Sequence, residues 1–156
     1  MRHMPDPLIE DIFSCRKCGR CCEGAGGIVL RAVDMGRLAD FLRISLEKFR
    51  EKYVSLRNGK LALHCGADGF CVFFKKDTGC MVHEAKPAVC RAWPFFRGNL
   101  VDPLGLAMAK DFCPGIAREI NHERFLETGI NWLKKEGLDA HAGEHGSTAL
   151  IVQDLC

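Results

Sequence analysis

The sequence has no long hydrophobic run and almost no net charge. No segment approaches the roughly 20 consecutive apolar residues of a membrane-spanning helix, and residues 1–14 contain no apolar stretch of signal-peptide length. Lys and Arg number 22 against 20 Asp and Glu, so no overall electrostatic field would hold the chain on nucleic acid or on an anionic membrane. We therefore expect a cytoplasmic protein that binds neither nucleic acid nor membrane.

Cysteine, by contrast, is abundant. Ten cysteines occur in 156 residues, and a reducing cytosol does not sustain a disulfide framework. Metal binding or redox chemistry is therefore the better interpretation. Removal of an export signal would allow disulfides instead, although the adjacent pair Cys21 and Cys22 is awkward for unstrained bridges.

The most specific motif is Cys15-x2-Cys18-x2-Cys21-Cys22. A two-residue spacer lets the chain turn so that both sulfurs face one centre, while the backbone N–H groups between them point back at the sulfurs. The first three cysteines also begin the bacterial ferredoxin pattern, whose remaining ligand comes from elsewhere in the chain and is followed by proline. The motif therefore favours an iron–sulfur cluster, with 4Fe–4S as the expected type.

Five further cysteines could complete this centre or form a second one: Cys65, Cys71, Cys80, Cys90 and Cys113. Pro114 follows Cys113 as in the ferredoxin pattern, but Cys90 or Cys65 could serve equally. The spacings fit no standard zinc finger or ribbon, yet zinc remains the alternative because thiolate sites tolerate irregular spacing. We predict that all nine of these cysteines bind metal, and we interpret Cys156, which lies outside every spacing pattern, as spare.

The rest of the sequence predicts short regular elements. Helical periodicity indicates helices at about 33–43, 46–53 and 118–136, and Asn58-Gly59 predicts a hairpin between 53–57 and 60–64. A second hairpin is expected from 70–74 and 80–83, and Pro87 can open a helical turn that carries Cys90. The fold class is therefore α+β, a small irregular cysteine-rich metal-binding domain with short β-hairpins and several helices. We expect a leader at 1–14, the domain with its C-terminal helix at 15–137, and a tail at 138–156.

These residues resemble the YkgJ-type cysteine-cluster family, described as zinc- or iron-chelating. The resemblance covers about residues 15–115 and rests on Cys15-x2-Cys18-x2-Cys21-Cys22, Gly26-Gly27-Ile28-Val29-Leu30 leading to Asp34, Asp68-Gly69-Phe70-Cys71 with Phe73 and Phe74, Cys80, Pro87-x2-Cys90-Arg91-x-Trp93-Pro94-Phe95, and Cys113. It implies metal or cluster binding through these cysteines. The family also includes flagellin lysine methylases that use S-adenosylmethionine.

Three functions are consistent with this pattern. The leading one is an iron–sulfur protein for electron transfer or redox sensing, with a redox or protein partner. The alternatives are a structural zinc module that serves a protein partner, and a metal-dependent methyl-transfer enzyme related to the flagellin lysine methylases. Gly24, Gly26 and Gly27 follow a cysteine loop and not a strand, so they do not form a nucleotide-binding fingerprint. No catalytic residue is assigned.

Overall fold

The computed structural model describes residues 7–23, 28–139, 148–150 and 153–155. Its α-helices are α1 (Ala32–Leu42), α2 (Leu46–Tyr53), α3 (Ala88–Ala92), α4 (Arg97–Val101), α5 (Pro103–Phe112) and α6 (His122–Lys135), and its strands are β1 (Val54–Arg57), β2 (Lys60–Leu63), β3 (Phe74–Lys75) and β4 (Gly79–Cys80). The predicted α+β class is confirmed. Among the described residues, none of the helices has the length and apolar character needed to cross a membrane.

Two compact units make up the chain. The middle unit is Gly19–Arg91, and the terminal unit combines Met1–Cys18 with Ala92–Cys156. The extents predicted for the leader, the metal-binding domain and the tail stay a prediction, because compactness alone does not define domains.

A pair of helices begins the regular part of the middle unit. Arg43, at φ 56°, ends α1, and the hydroxyl of Ser45 accepts a hydrogen bond from the Lys48 N–H (3.2 Å) to cap α2. Leu38 on α1 and Phe49 on α2 are fully buried. The two helices therefore carry the apolar base of this unit, and both predicted helices are confirmed.

The β1–β2 hairpin follows α2 directly. Its turn residues Asn58 and Gly59 both have positive φ, 50° and 77°, as the tight turn of a two-residue hairpin requires. Segment 28–30 continues this small sheet, since the Leu30 N–H donates to the Leu61 carbonyl (2.8 Å) and the Leu63 N–H donates to the Ile28 carbonyl (3.0 Å). The hairpin leads the chain to Cys65.

The second hairpin is shorter than the predicted strands 70–74 and 80–83. Only Phe74–Lys75 and Gly79–Cys80 pair as β3 and β4 within the described residues. Upstream residues bond elsewhere, because the Cys71 N–H donates to the Cys22 carbonyl (2.6 Å) and the Val72 N–H donates to the His64 carbonyl (3.0 Å). The chain before β3 is therefore held by the cysteine loop and by the end of the first hairpin.

The terminal unit is helical. Phe125 and Leu133 on α6 are fully buried, as is Leu100 on α4. The predicted helix 118–136 starts later than expected, at His122, because the side chain of Asn121 accepts a hydrogen bond from the Arg124 N–H (2.8 Å) and caps α6 there. The predicted leader joins this unit, since Phe13 forms an antiparallel bridge with Ile116.

Candidate metal centre

The first two cysteines lie on a tight turn in the terminal unit. Lys17 has φ 54°, and its N–H donates to Cys15 Sγ at 3.4 Å. This is the N–H···S contact that the two-residue spacer predicts. Cys18 is exposed, and Cys113, also in the terminal unit, is buried.

The second half of the motif lies in the middle unit and is packed against the second hairpin. Residues Arg20–Cys22 form a single 3-10 turn after Gly19, whose φ is 84°. A Cβ on Gly19 would lie 3.0 Å from Phe74 Cε1 and closer still to two other ring carbons. Glu23 forms an antiparallel bridge with Phe70. The Phe74 ring can therefore pack on the backbone of the cysteine loop only because residue 19 is glycine.

Two more cysteines lie side by side where the chain leaves the first hairpin. Cys65 and Cys71 form an antiparallel bridge. The loop between them is closed because the Gly66 N–H donates to the Phe70 carbonyl (2.8 Å) and Asp68 Oδ1 accepts from the Phe70 N–H (3.0 Å). Two cysteines separated by five residues are thus brought together by backbone pairing.

Cys80 and Cys90 lie further along the chain, in β4 and in α3. Cys80 pairs with Phe74 in the β3–β4 register. Cys90 lies on α3, where the Arg91 N–H donates to the Pro87 carbonyl (3.0 Å) and the Ala88 N–H donates to Asp34 Oδ1 (3.1 Å). The helical turn predicted after Pro87 is confirmed.

The thiols of the middle unit influence one another. A hydrogen bond between the Cys21 and Cys22 side chains lowers the pKa of Cys21 to about 7 and raises the pKa of Cys22. Burial raises the pKa of the Cys71 thiol to about 11, and burial also raises the pKa of the Cys90 thiol. Negative charge at Cys21, Cys71 and Cys80 raises the pKa of Cys90 further. These thiols are therefore close enough that ionising several of them together requires a compensating positive charge.

We name this group the thiol cluster and define it as Cys21, Cys22, Cys65, Cys71, Cys80 and Cys90. Lys86 supplies part of the positive charge, because it lowers the pKa of Cys21 and of Cys90 against the larger effects there. Six of the nine predicted ligands thus belong to the middle unit, and the other three, Cys15, Cys18 and Cys113, belong to the terminal unit. Cys156 lies outside the described residues.

The donor chemistry fits zinc or an iron–sulfur centre. The nine described cysteines are all thiols and form no disulfide, and soft thiolate donors select these metals. In the present side-chain arrangement, no three His, Cys, Asp or Glu side chains among the described residues form a group that could hold a metal ion. A zinc ion on the thiol cluster would need its sulfurs at about 2.3 Å from one metal, whereas a 4Fe–4S cluster takes one thiolate on each of its four irons.

One residue beside the cluster had no role assigned from the sequence. Asp34 is 1% exposed and bonds to the N-terminus of α3. An acid at the third position of a helix is a recognisable capping signal. Its contact with Ala88, however, spans more than fifty positions of the chain and leaves no local pattern.

Comparison with known proteins identifies the family. The family model "CxxCxxCC: Putative zinc- or iron-chelating domain" matches residues 14–114. The chain belongs to this family. It is therefore a metal-binding cysteine-cluster protein, as the motif predicted.

One relative and the solved structures complete the comparison. An uncharacterized protein of Methanocaldococcus jannaschii is 29% identical over 84 residues, which are 53% of this chain and 44% of that protein. The chain thus spans less than half the length of this relative. No solved structure matches the chain.

Proposed function

We propose that this cysteine-cluster protein holds an iron–sulfur cluster on the thiol cluster of its middle unit and uses it in electron transfer or redox sensing. The observation that supports the proposal most directly is that Cys71 is joined by backbone contacts to both Cys22 and Cys65, so that thiols from separate cysteine segments come together. Such a group is more stable when a metal centre neutralises the thiolates. Iron–sulfur clusters are held by four cysteine thiolates, and the thiol cluster offers six.

The surrounding residues suit a cysteine-ligated cluster. Lys86 provides positive charge near two of the thiols, which favours the net negative charge of a cluster with its thiolates. Phe70 and Phe74 stack with ring centroids 4.9 Å apart beside the Cys22–Cys71 backbone contact. They lie next to Cys71, the one buried cysteine of the thiol cluster, and an apolar shell of this kind limits the contact of a metal centre with water. When bound, an iron–sulfur cluster supplies a one-electron redox couple.

Metal and sulfide analysis of anaerobically purified protein tests the proposal. We expect iron and acid-labile sulfide in comparable amounts, and visible absorption that bleaches when the protein is reduced. Stoichiometric zinc without sulfide in colourless protein would contradict it. The full chain is used, because thiols from both units are candidate ligands.

A structural zinc site is the second candidate, and one observation favours it. Cys65 and Cys71 face each other in an antiparallel bridge, and Cys22 is joined to Cys71 by a 2.6 Å backbone hydrogen bond. Structural zinc sites commonly take their thiolates from such short, paired segments. The same metal analysis separates the two candidates, whereas tight binding of S-adenosylmethionine would favour the methyl-transfer function that the family resemblance implies.

A further inference from the structure

Asp34 joins two segments that are distant in the sequence. Its Oδ2 accepts a hydrogen bond from the Arg31 N–H (3.0 Å), and its Oδ1 accepts from Arg31 Nη2 (3.1 Å) and from the Ala88 N–H (3.1 Å). The first contact caps α1, and the second is an ion pair with the side chain of Arg31. The third reaches the first residue of α3, on which Cys90 lies.

Capping of α1 does not by itself explain the burial of this carboxylate. A capping acid at the third helical position serves its helix equally well when it is exposed to water, whereas burying a carboxylate costs free energy unless its oxygens are hydrogen-bonded. Asp34 is 1% exposed. The Ala88 contact offsets part of that cost and at the same time fixes the start of α3.

The five-residue helix α3 depends on such outside contacts for its orientation. A helix of this length is not stable through its own hydrogen bonds. At its first turn, the Arg91 N–H donates to the Pro87 carbonyl within the helix, and the Ala88 N–H donates to the Asp34 carboxylate outside it. Cys90 lies between Ala88 and Arg91 in the sequence, so the start of α3 sets the position of Cys90.

We propose that Asp34 is a positioning residue of the metal site, which fixes the start of α3 and with it the position of Cys90. The proposal rests on the proposed function in taking Cys90 as a metal ligand. It makes the start of α1 part of the metal site, although α1 contributes no ligand.

The first test measures the protection of Cys90 in the reduced full chain as purified, with its metal bound. In Asp34→Ala, we expect alkylation of Cys90 by iodoacetamide to be about tenfold faster than in the wild type, because loss of hydrogen bonds to a charged acceptor lowers the cost of local opening by roughly 1.4 kcal/mol or more. Mass spectrometry gives the rate at each cysteine, so Cys71 serves as an internal reference. An unchanged rate at Cys90 would overturn the proposal.

Ser45→Ala is the matched control. It removes the side-chain cap of α2, a helix of the same unit that carries no cysteine, at a cost of about 1 kcal/mol. We expect its Cys90 rate to equal that of the wild type. If Ser45→Ala accelerated Cys90 as much as Asp34→Ala, general loosening of the unit would explain the result and the proposal would be wrong.

The second test uses Co²⁺ alone as the probe. The sulfur-to-cobalt charge-transfer absorption per bound Co²⁺ grows with the number of thiolates, so we expect it to fall in Asp34→Ala and to stay at the wild-type value in Ser45→Ala. A purely structural role would lower the melting temperature of both variants and leave this absorption unchanged in both, which would contradict the proposal. If Asp34→Ala does not fold, Asp34→Asn replaces it, because an amide keeps the volume but offers one acceptor oxygen to three N–H donors.

The outcomes separate this proposal from the proposed function. A wild-type protein that contains zinc and no sulfide, with faster Cys90 alkylation in Asp34→Ala, would contradict the iron–sulfur function and support the positioning role. A wild-type protein with iron and sulfide, with the same Cys90 rate in both proteins, would support the function and overturn the positioning role.

Discussion

At the scale of single residues, the cysteine loop depends on one glycine. Gly19 combines a φ of 84° with the Phe74 ring packed directly on its Cα. Either feature alone is tolerated at a modest cost, but together they exclude any side chain. The cysteine motif identifies residues that can bind metal. Gly19, in the spacer between Cys18 and Cys21, lets the loop pack on Phe74, and this packing places Cys21 and Cys22 with the rest of the thiol cluster.

We predict that Gly19→Ala impairs both folding and metal binding. The positive φ costs about 1–2 kcal/mol for alanine, and the new methyl group overlaps the Phe74 ring. Thermal unfolding and metal content measure the two effects. The matched control is Gly59→Ala, since Gly59 has a similar φ of 77° and nothing within 4 Å of the added atom. We expect the control to lose only the stability that a positive φ costs alanine, and to keep its metal. Equal metal loss in the two variants would show that the Phe74 contact does not position the loop.

A second residue-scale prediction concerns the ligands themselves. Cys71→Ser should lose most of the bound metal, because the Cys71 thiol belongs to the thiol cluster and serine is a poor ligand for zinc or iron–sulfur centres. Cys156→Ser should retain the metal, because Cys156 lies outside the family match at 14–114. Metal analysis of both purified proteins is the measurement. Retention of metal in Cys71→Ser would remove this residue from the site.

At the scale of elements, the sequence predicts those whose signals are local. The helix at Leu46–Tyr53 and the hairpin around Asn58-Gly59 occur as predicted, because a capping serine and a positive-φ turn act within a few residues. The segments that became α4 and α5 were not predicted. The short α4 has no periodicity of its own, and α5 starts with a cap from Asp102, which accepts from the Leu104 N–H (2.9 Å), and with Pro103 at its first position.

Prediction of the candidate site from the sequence is limited in the same way, to features whose signals are local. The cysteine spacing indicates metal ligands, but spacing does not say which of them meet. The contact between Cys22 and Cys71 and the tie from Asp34 to Ala88 both join distant segments, so they follow from packing and not from any local pattern. The expected pairing across the second hairpin was too long for the same reason, since residues 71 and 72 bond to other segments.

Two helical glycines, one closely packed and one not, allow helix packing to be tested by substitution with alanine. Gly129 on α6 lies against Phe95, and an added Cβ would be 2.6 Å from Phe95 Cδ1 and 3.0 Å from Leu100 Cδ2. We predict that Gly129→Ala destabilises the protein by about 1–3 kcal/mol through overpacking, which outweighs the gain in helix propensity of roughly 1 kcal/mol. Gly36→Ala on α1, where nothing lies within 4 Å, should be stabilising by up to about that gain. Chemical denaturation of both variants checks the opposite signs, and a stabilising Gly129→Ala would refute the close packing of α6.

At the scale of the whole molecule, the two units differ in what stabilises them. The terminal unit has large buried side chains on its helices, among them Phe95, Phe125 and Leu133. The middle unit also buries Leu38 and Phe49, but it contains two-stranded sheets, which are marginal by themselves, and six cysteines. We infer that the middle unit relies on metal for part of its stability, since structural metal sites contribute binding free energy to folding.

Metal removal should therefore destabilise the middle unit more than the terminal unit. After chelation, we expect faster hydrogen exchange across 53–91 in the middle unit, and largely retained protection in α6. Hydrogen exchange with mass spectrometry before and after chelation, at constant pH and temperature, is the measurement. Unchanged exchange across 53–91 would mean that the middle unit folds without metal and that its cysteines serve chemistry alone.

The backbone contact between Cys22 and Cys71 closes a long loop that contains α1, α2 and the first hairpin. Loop closure between distant segments has an entropic cost that formation of a local helix or hairpin does not have. The helices and the hairpin can therefore form early in folding, and the cysteines meet late. Interactions absent from the folding transition state slow unfolding and leave the folding rate nearly unchanged. Bound metal would then act chiefly on the unfolding rate, prolonging the lifetime of the folded middle unit without speeding its formation.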